Sequence, residues 1–214
     1  MWYNYSVSEM NYQLFQSTLK DFACFSTQQV LGVFPDFDRN NYHEWLARGY
    51  LVRMRRGWYA FADSAKITGI CDYIAGKIYA PSYLSCEYVL ARVGLIPESV
   101  VQLTSVTTNK TAFFRNDFGE FGYRSIKPEL MFGFRVETVG PGLPVSLATP
   151  AKALCDFLYL NSQYRTASDM EELRLDADVL GELLSDGSLG EMVRRFSSPT
   201  LTRRVETLKE VYGV

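Results

Sequence analysis

The sequence has few of the residues that metal and cofactor sites need. It contains four cysteines, none of them in a Cys-x-x-Cys pair, and a single histidine, His43. Zinc and haem sites need several such ligands close together, so this composition argues against both. No Walker loop and no Gly-x-Gly-x-x-Gly motif for phosphate binding occurs either. We therefore predict a protein without a resident metal or cofactor.

Long apolar runs, internal repeats and low-complexity tracts are also absent. No apolar run approaches the roughly 20 residues of a membrane span. The first ten residues, MWYNYSVSEM, lack the basic start and apolar block of a secretory signal. We therefore expect a cytosolic protein with no membrane contact. Its 47% hydrophobic content is enough for a full core in 214 residues, which suits one or two domains.

Neither sign of charge is in large excess, because 22 basic residues stand against 24 acidic ones and the net charge is −2. Taken alone, this balance argues against a protein that binds nucleic acid. The distribution is nevertheless uneven. Residues 39–56 contain five arginines and only one acidic residue, Glu44, so positive charge is concentrated in one short stretch.

The basic stretch overlaps residues 40–61, NNYHEWLARGYLVRMRRGWYAF, which predict a short helix followed by a tight β-hairpin. Asp38 suits the N-cap of this helix, and Gly49 suits its C-terminal stop. Phe37 and Tyr42 have the spacing of a hydrophobic staple. The apolar period then changes from helical to alternating around a glycine turn. The hairpin is apolar at its base and cationic at its tip.

Two more helices are predicted before this stretch. Apolar residues repeat at helical spacing over residues 11–22, and Ser26 with Gln29 forms a capping box for the next helix. Three helices followed by a hairpin are typical of a winged helix-turn-helix domain. We predict such a domain at residues 1–61, followed by a connector at residues 62–70. A small helical bundle with an ordinary hairpin is the alternative interpretation.

The remaining chain, residues 71–214, predicts a mixed domain with a helical C-terminal part. Its β-branched and aromatic runs predict a small, mainly antiparallel sheet that packs against helices. The predicted strands lie at residues 100–107, 111–115, 121–126 and 132–139. The predicted fold class is therefore α+β, with an N-terminal winged helix-turn-helix, a small sheet and C-terminal helices.

Seven residues in the basic stretch are candidates for contact with DNA. Arg39 and Asn40 begin the predicted recognition helix and suit base edges, and His43 points outward from the same helix. The guanidinium groups suit phosphate oxygens. The full set is Arg39, Asn40, His43, Arg48, Arg53, Arg55 and Arg56. The alternative is that these side chains are only a solvated surface, as most charged residues are.

Acidic pairs suggest an enzyme, but helix capping explains them more simply. Residues 36–38 and 176–178 have the Asp-x-Asp spacing with which nucleotidyltransferases hold magnesium. Such enzymes also need a Gly-Ser turn upstream, and none is suitably placed. Aspartates at helix starts are common N-caps. Lys152 and Asp156 are four residues apart on a predicted helix, which predicts a surface ion pair. We predict no catalytic residue.

Short motifs are distributed between residues 51 and 160. They are LVRMRRGWYA at 51–60, YIA at 73–75, PSYLS at 81–85, GLI at 94–96, FGEFGY at 118–123, FGF at 132–134 and ATPAKALCDFLYL at 148–160. In this order and spacing they resemble the AbiEi family of antitoxins from bacterial type IV toxin–antitoxin systems. Two features depart from the family: Ala151 stands where a glutamate is common, and residues 165–214 match only loosely.

The resemblance implies a non-enzymatic antitoxin that represses its own operon. Its N-terminal winged helix would bind double-stranded DNA at inverted repeats in its own promoter, and its C-terminal domain would counter a nucleotidyltransferase toxin. That action takes place either by direct contact or through a target that both proteins share. We expect two copies on the DNA, because one small basic patch binds weakly. The alternative functions are a protein-interaction module and an orphan winged-helix regulator, each docking a partner through the α+β domain.

Overall fold

Helices and strands are interspersed along the chain, and the strands form two separate sheets. The computed structural model describes residues 11–97 and 100–213. Its helices are α1 (Tyr12–Leu19), α2 (Thr27–Val33), α3 (Asn40–Ala47), α4 (Ile70–Ile78), α5 (Cys86–Arg92), α6 (Pro150–Leu160), α7 (Ala167–Glu171), α8 (Ala177–Ser185), α9 (Ser188–Phe196) and α10 (Pro199–Tyr212). Its strands are β1 (Cys24–Ser26), β2 (Leu51–Arg55), β3 (Trp58–Phe61), β4 (Ser82–Leu84), β5 (Leu103–Thr107), β6 (Ala112–Asn116), β7 (Gly119–Ser125), β8 (Phe134–Val139) and β9 (Leu143–Ala148). The α+β class predicted from the sequence is confirmed.

The smaller sheet has three antiparallel strands in the order β1-β3-β2. Gly57 has a φ of 76°, a conformation that glycine adopts without strain, and the chain reverses there between β2 and β3. The sequence did not predict β1. Three residues between two helices are too few to show a strand period.

Helices α1, α2 and α3 cover one face of this sheet and build an aromatic core. Tyr42 of α3 stacks on Tyr59 of β3, with ring centroids 4.1 Å apart. The ring centroids of Phe37 and Tyr42 are 4.8 Å apart, which confirms the predicted hydrophobic staple. The Asp38 carboxylate accepts a hydrogen bond from the backbone N–H of Asn40 at 2.9 Å and so caps α3. Other buried members of this core are Phe15, Leu19, Phe25, Val30, Trp45, Leu51 and Phe61.

The larger sheet has six strands in the order β6-β7-β5-β4-β9-β8. The β4–β9 and β5–β7 pairs are parallel, and the other three pairs are antiparallel. The sheet is therefore larger and more mixed than predicted. The strands missing from the prediction are β4, which directly follows Pro81, and β9, which contains Pro144. Proline usually marks the end or the edge of a strand, so both segments looked like turns.

Helices lie on both faces of the larger sheet. The Tyr123 hydroxyl donates a hydrogen bond of 2.7 Å to the carbonyl of Ala75 in α4. On the opposite face, the Tyr83 hydroxyl donates a hydrogen bond of 2.9 Å to the carboxylate of Asp156 in α6. α9 and α10 pack against the outer side of α6. Within the described ranges, no helix has the length and apolar character needed to cross a bilayer.

The Lys152–Asp156 pair is buried, so the predicted surface ion pair is wrong. Both side chains are 0% exposed, and Lys152 Nζ donates to Asp156 Oδ1. Asp156 Oδ2 also accepts hydrogen bonds from Tyr83 at 2.9 Å and from Ser85 at 2.7 Å. The predicted spacing holds, but α6 has no solvated face at this point, because every residue from Ala151 to Leu158 is buried.

Aromatic rings replace water around the Lys152 ammonium. Nζ lies 4.4 Å from the ring centroid of Phe196, 5.1 Å from that of Phe132 and 5.4 Å from that of Tyr83. Burial lowers the pKa of Lys152 and raises the pKa of Asp156, while the charge of each residue opposes the shift of the other. The network ties β4, α6 and α9 together without a solvated group, so it is a structural element of the core.

Replacing Lys152 with Met should lower the free energy of unfolding by about 3–5 kcal/mol, because the Asp156 carboxylate then stays buried without its cation. The double variant Lys152→Met, Asp156→Leu should regain most of this loss, since both charges leave together. Urea unfolding of the wild type, the two single variants and the double variant measures the coupling. Costs of the single variants that simply add in the double variant would contradict the buried network.

Candidate nucleic-acid interface

Helix α3 has a polar face opposite its aromatic face. Asn40 and His43 are exposed, whereas Tyr42 and Trp45 are buried against the small sheet. Residues three apart on a helix lie on the same side, so the amide and the imidazole are neighbours. Arg39 directly precedes the first residue of the helix and is also exposed. The start of α3 therefore presents a guanidinium, an amide and an imidazole to solvent.

The charge of Arg48 is partly balanced within α3. Its guanidinium nitrogen lies 2.8 Å from the carboxylate of Glu44, one turn earlier, and the two side chains are 58% and 50% exposed. Such an exposed pair contributes little to stability. It does reduce the positive potential at the C-terminal end of α3, where Arg48 lies.

Arg53 lies on the side of the small sheet that faces α3. Its partner across the strands is Tyr59, whose ring stacks on Tyr42 of α3. Residues directly opposite each other in a sheet point to the same face. Arg53 itself is exposed. The fold therefore brings this arginine to the same side of the sheet as α3.

A β-bulge directs Arg55 to the other face of the hairpin. The register shifts between Arg53 and Arg55, so that Arg55 is paired with Trp58. Trp58 packs on the larger core, away from α3. Simple alternation along β2 would have placed Arg53 and Arg55 on one face, and the extra residue of the bulge reverses this order.

The Arg55 side chain is engaged inside the molecule. Its Nε donates to the carbonyl of Ile78, the last residue of α4. Its guanidinium carbon lies 5.7 Å from the ring centroid of Phe114 and 5.9 Å from that of Tyr79. A cation at the C-terminal end of a helix is favourable, and the two rings add cation–π attraction. Arg55 therefore joins the hairpin to residues 70–97 and 100–213, which contain the six-stranded sheet and which we call the larger unit.

Arg56 is exposed at the hairpin turn, and the turn is fixed by α2. The backbone N–H of Thr27 donates to the carbonyl of Gly57 at 2.9 Å, and the Thr27 hydroxyl donates to the same oxygen at 3.4 Å. Thr27 was not found from the sequence, because it lies 30 residues from Gly57 and depends on the unpredicted strand β1. The turn that carries Arg56 is thus anchored to the start of α2.

Three of the predicted contact residues keep an uncompensated positive charge. Among residues 11–97 and 100–213, no carboxylate forms an ion pair with Arg39, Arg53 or Arg56. Asn40 remains beside them, although its side chain also donates to Asp38 at 3.4 Å. The structure brings these side chains to an exposed surface formed by α3 and the hairpin, which we call the basic surface.

One aspartate of each Asp-x-Asp pair caps a helix, which is the role that the sequence predicted for these pairs. Asp38 caps α3, and the Asp176 carboxylate accepts hydrogen bonds from the backbone N–H groups of Asp178 and Val179, each at 3.0 Å. In the part of the chain that the structure describes, no three His, Cys, Asp or Glu side chains are grouped as metal ligands. The acidic pairs therefore have a structural explanation at the start of each helix.

Comparison with known proteins does not place the chain in a family. No protein-family model matches the chain, and no curated protein matches it. A function for the chain therefore rests on the contacts and charges of its own residues and on the resemblance of its short motifs.

Replacing Arg55 with Ala should lower the free energy of unfolding by about 1–3 kcal/mol, because a hydrogen bond from a charged group and two cation–π contacts are lost. The neighbouring variant Arg56→Ala is the matched control, and its effect should stay within about 0.5 kcal/mol, since Arg56 is exposed. Urea unfolding of both variants makes the comparison. Equal costs for the two variants would contradict the internal contact of Arg55.

Proposed function

We propose that the chain is a DNA-binding transcriptional regulator whose residues 11–61 form a winged helix-turn-helix. The order α1, β1, α2, α3, β2, β3 and the strand order β1-β3-β2 support this proposal. The observation that carries it is the basic surface, on which three arginines lack a carboxylate partner within the described residues. In a domain of this type, α3 would enter the major groove and the hairpin would follow the backbone.

The side chains of the basic surface divide into two roles. Arg39, Asn40 and His43 lie at the start of α3 and would reach base edges, because guanidinium and amide groups form bidentate contacts with purines. Arg53 and Arg56 lie on the hairpin and would contact phosphate oxygens. Arg48 can take part only by exchanging its pair with Glu44. Arg55 takes no part, because its guanidinium is bound to the Ile78 carbonyl.

The small size of the basic surface determines how the chain would bind DNA. The net charge of the whole chain is −2, so the remaining surface does not attract the phosphate backbone. One basic surface with a few phosphate contacts gives weak binding at physiological salt. Tight and specific binding would then need two copies at an inverted repeat, as in other dimeric helix-turn-helix proteins.

We further propose that the chain is the non-enzymatic antitoxin of a type IV toxin–antitoxin system, with a nucleotidyltransferase as the toxin. This part rests on the motif resemblance, and one structural feature supports it. The motif segments at residues 81–85 and 148–160 meet in space, because Tyr83 and Ser85 bind the Asp156 carboxylate. These two motifs therefore lie in one connected core, which is what motifs that maintain a common fold would do.

A protein-interaction module is the second candidate function. The hairpin packs on the larger unit through Arg55, and this packing gives its strands a structural role that needs no DNA. The slight excess of acidic residues also favours this alternative. An orphan regulator without a toxin partner would share the basic surface and differ only in its genetic neighbourhood.

Arg53→Ala and Arg56→Ala should each weaken binding to the DNA upstream of the gene and flatten the slope of log K against log salt by about 0.9. Each variant removes one phosphate contact and the counterion release that accompanies it. Fluorescence anisotropy across a salt series measures the slope. Arg115→Ala on β6 is the matched control, because Arg115 is 71% exposed and pairs with Glu120 outside the basic surface. Unchanged slopes for both hairpin variants would refute the proposed DNA contact.

The antitoxin role predicts a separation of two activities. The gene beside that of the chain should encode a nucleotidyltransferase, and co-expression of the chain with it should restore bacterial growth. The double variant Arg53→Ala, Arg56→Ala should still restore growth, because these residues lie outside the larger unit, but it should lose repression of a promoter–reporter fusion. Loss of both activities in a variant with a normal unfolding transition would contradict this division of labour.

A further inference from the structure

The two edge strands of the six-stranded sheet differ in whether other parts of the molecule cover them. At one edge, β6 is covered by the hairpin, since Asn116 Nδ2 donates to the carbonyl of Met54 at 3.1 Å and Phe114 contacts Arg55. At the other edge, β8 pairs with β9 on one side only. No strand among residues 11–97 and 100–213 pairs with its other side. The outer side of β8 therefore carries backbone donors and acceptors that no described strand uses.

The composition of β8 suits pairing rather than protection of an edge. Its six residues, FRVETV, include no proline and no lysine, which commonly protect exposed edges, and its two charged residues, Arg135 and Glu137, are of opposite sign. Val136, in the middle of the strand, is 67% exposed, and Phe134 is 36% exposed. β-branched and aromatic residues of this kind favour pleated structure. Half of the strand, Phe134, Val136 and Val139, is apolar, and an open edge with exposed apolar side chains is a ready template for another strand.

The charges of β8 are complementary to a second copy of the same strand. Arg135 and Glu137 lie on one face, and they form an ion pair within the strand at 2.7 Å. In an antiparallel pair centred on Val136, Arg135 of each copy lies directly opposite Glu137 of the other copy. Opposite charges at such positions stabilise a sheet. Val136 then lies opposite Val136, and Phe134 lies opposite Thr138.

Charge also excludes the neighbouring registers. A two-fold axis perpendicular to the sheet puts the same face of both copies on the same side. Residues that lie opposite each other must therefore come from the same face of β8, which restricts the registers that the pair can adopt. The next register in one direction places Arg135 opposite Arg135, and the next in the other direction places Glu137 opposite Glu137. Like charges directly opposite each other are destabilising. Only the register centred on Val136 joins opposite charges twice.

The covered edge at β6 makes this association closed. Each copy offers one open edge in the larger sheet, so two copies use each other's edge and leave none for a third. We propose that β8 is a homodimer interface, in which two chains pair antiparallel across Val136 and form one continuous sheet. Pairing of six-residue strands buries less surface than a typical stable complex, so the dimer forms at micromolar or higher concentration. The proposal concerns the chain without DNA and does not depend on the function of the basic surface.

Sedimentation equilibrium from about 1 µM to about 1 mM protein tests this interface, because dissociation constants of weak dimers lie in that range. Arg135→Glu alone and Glu137→Arg alone should each weaken the dimer by about tenfold or more, since two attractive contacts become repulsive. The double variant Arg135→Glu, Glu137→Arg should dimerise like the wild type. Arg115→Glu, a charge reversal at the covered edge, is the matched control and should leave dimerisation unchanged.

A mixture of the two single variants gives the most specific result. Arg135→Glu places two acids on β8, and Glu137→Arg places two arginines there, so the mixture should form a mixed dimer although neither variant dimerises well alone. This result also shows that both variants are folded. A wild-type chain that stays monomeric over the whole range overturns the proposal. A dimerisation constant that is unchanged by both single charge reversals overturns the proposal as well.

Discussion

The three-stranded sheet is buried on both faces, and this constraint organises residues 11–61 of the molecule. Phe25 and Tyr59 point into the aromatic core formed with α1, α2 and α3. Cys24 and Ala60, their neighbours along the strands, belong to the larger core on the other side. A strand with two buried faces can place charged side chains only at its ends or at an open edge. The positive charge of the hairpin is therefore confined to its turn and to the outer strand β2.

The same constraint fixes the hairpin relative to the rest of the chain. Separating the small sheet from either core would expose apolar surface, which is unfavourable in proportion to the area. Thr27 holds the hairpin turn from one side, and Arg55 holds β2 from the other side through the Ile78 carbonyl. A hairpin held in this way presents Arg53 and Arg56 from a preorganised backbone. Preorganisation reduces the entropy lost when a ligand binds.

Local signals in the sequence predicted local structure well. The staple of Phe37 and Tyr42, the cap at Asp38 and the capping box of Ser26 and Gln29 all form as expected. Each of these features depends on residues within five positions of one another. Sequence spacing contains that information, because the helix itself sets which residues meet.

Features that depend on distant partners could not be read in this way. The bulge that turns Arg55 away from Arg53 depends on the pairing of β2 with β3. The contacts that stabilise Arg55 there are made with the Ile78 carbonyl of α4 and the Phe114 ring of β6. Strand β4 forms directly after Pro81, and β9 forms although it contains Pro144, because neighbouring strands supply their hydrogen bonds. The basic surface was thus predictable as a stretch of chain, but the removal of one arginine from it was not.

Ion pairs with similar chemistry have different roles in this protein, and their surroundings decide which. Lys152 and Asp156 are enclosed by rings and hydroxyl groups, so their attraction acts within the core and specifies how α6 sits on the sheet. Arg135 and Glu137 lie at an open edge, where the attraction between them is screened by water. A charged pair at an edge normally opposes pairing with another strand, because most strands would leave both charges unmatched. A strand with the same pair in reverse order is the exception, and an antiparallel copy of β8 has that order. The two charges therefore disfavour pairing of β8 with other strands and favour pairing with a second copy of β8.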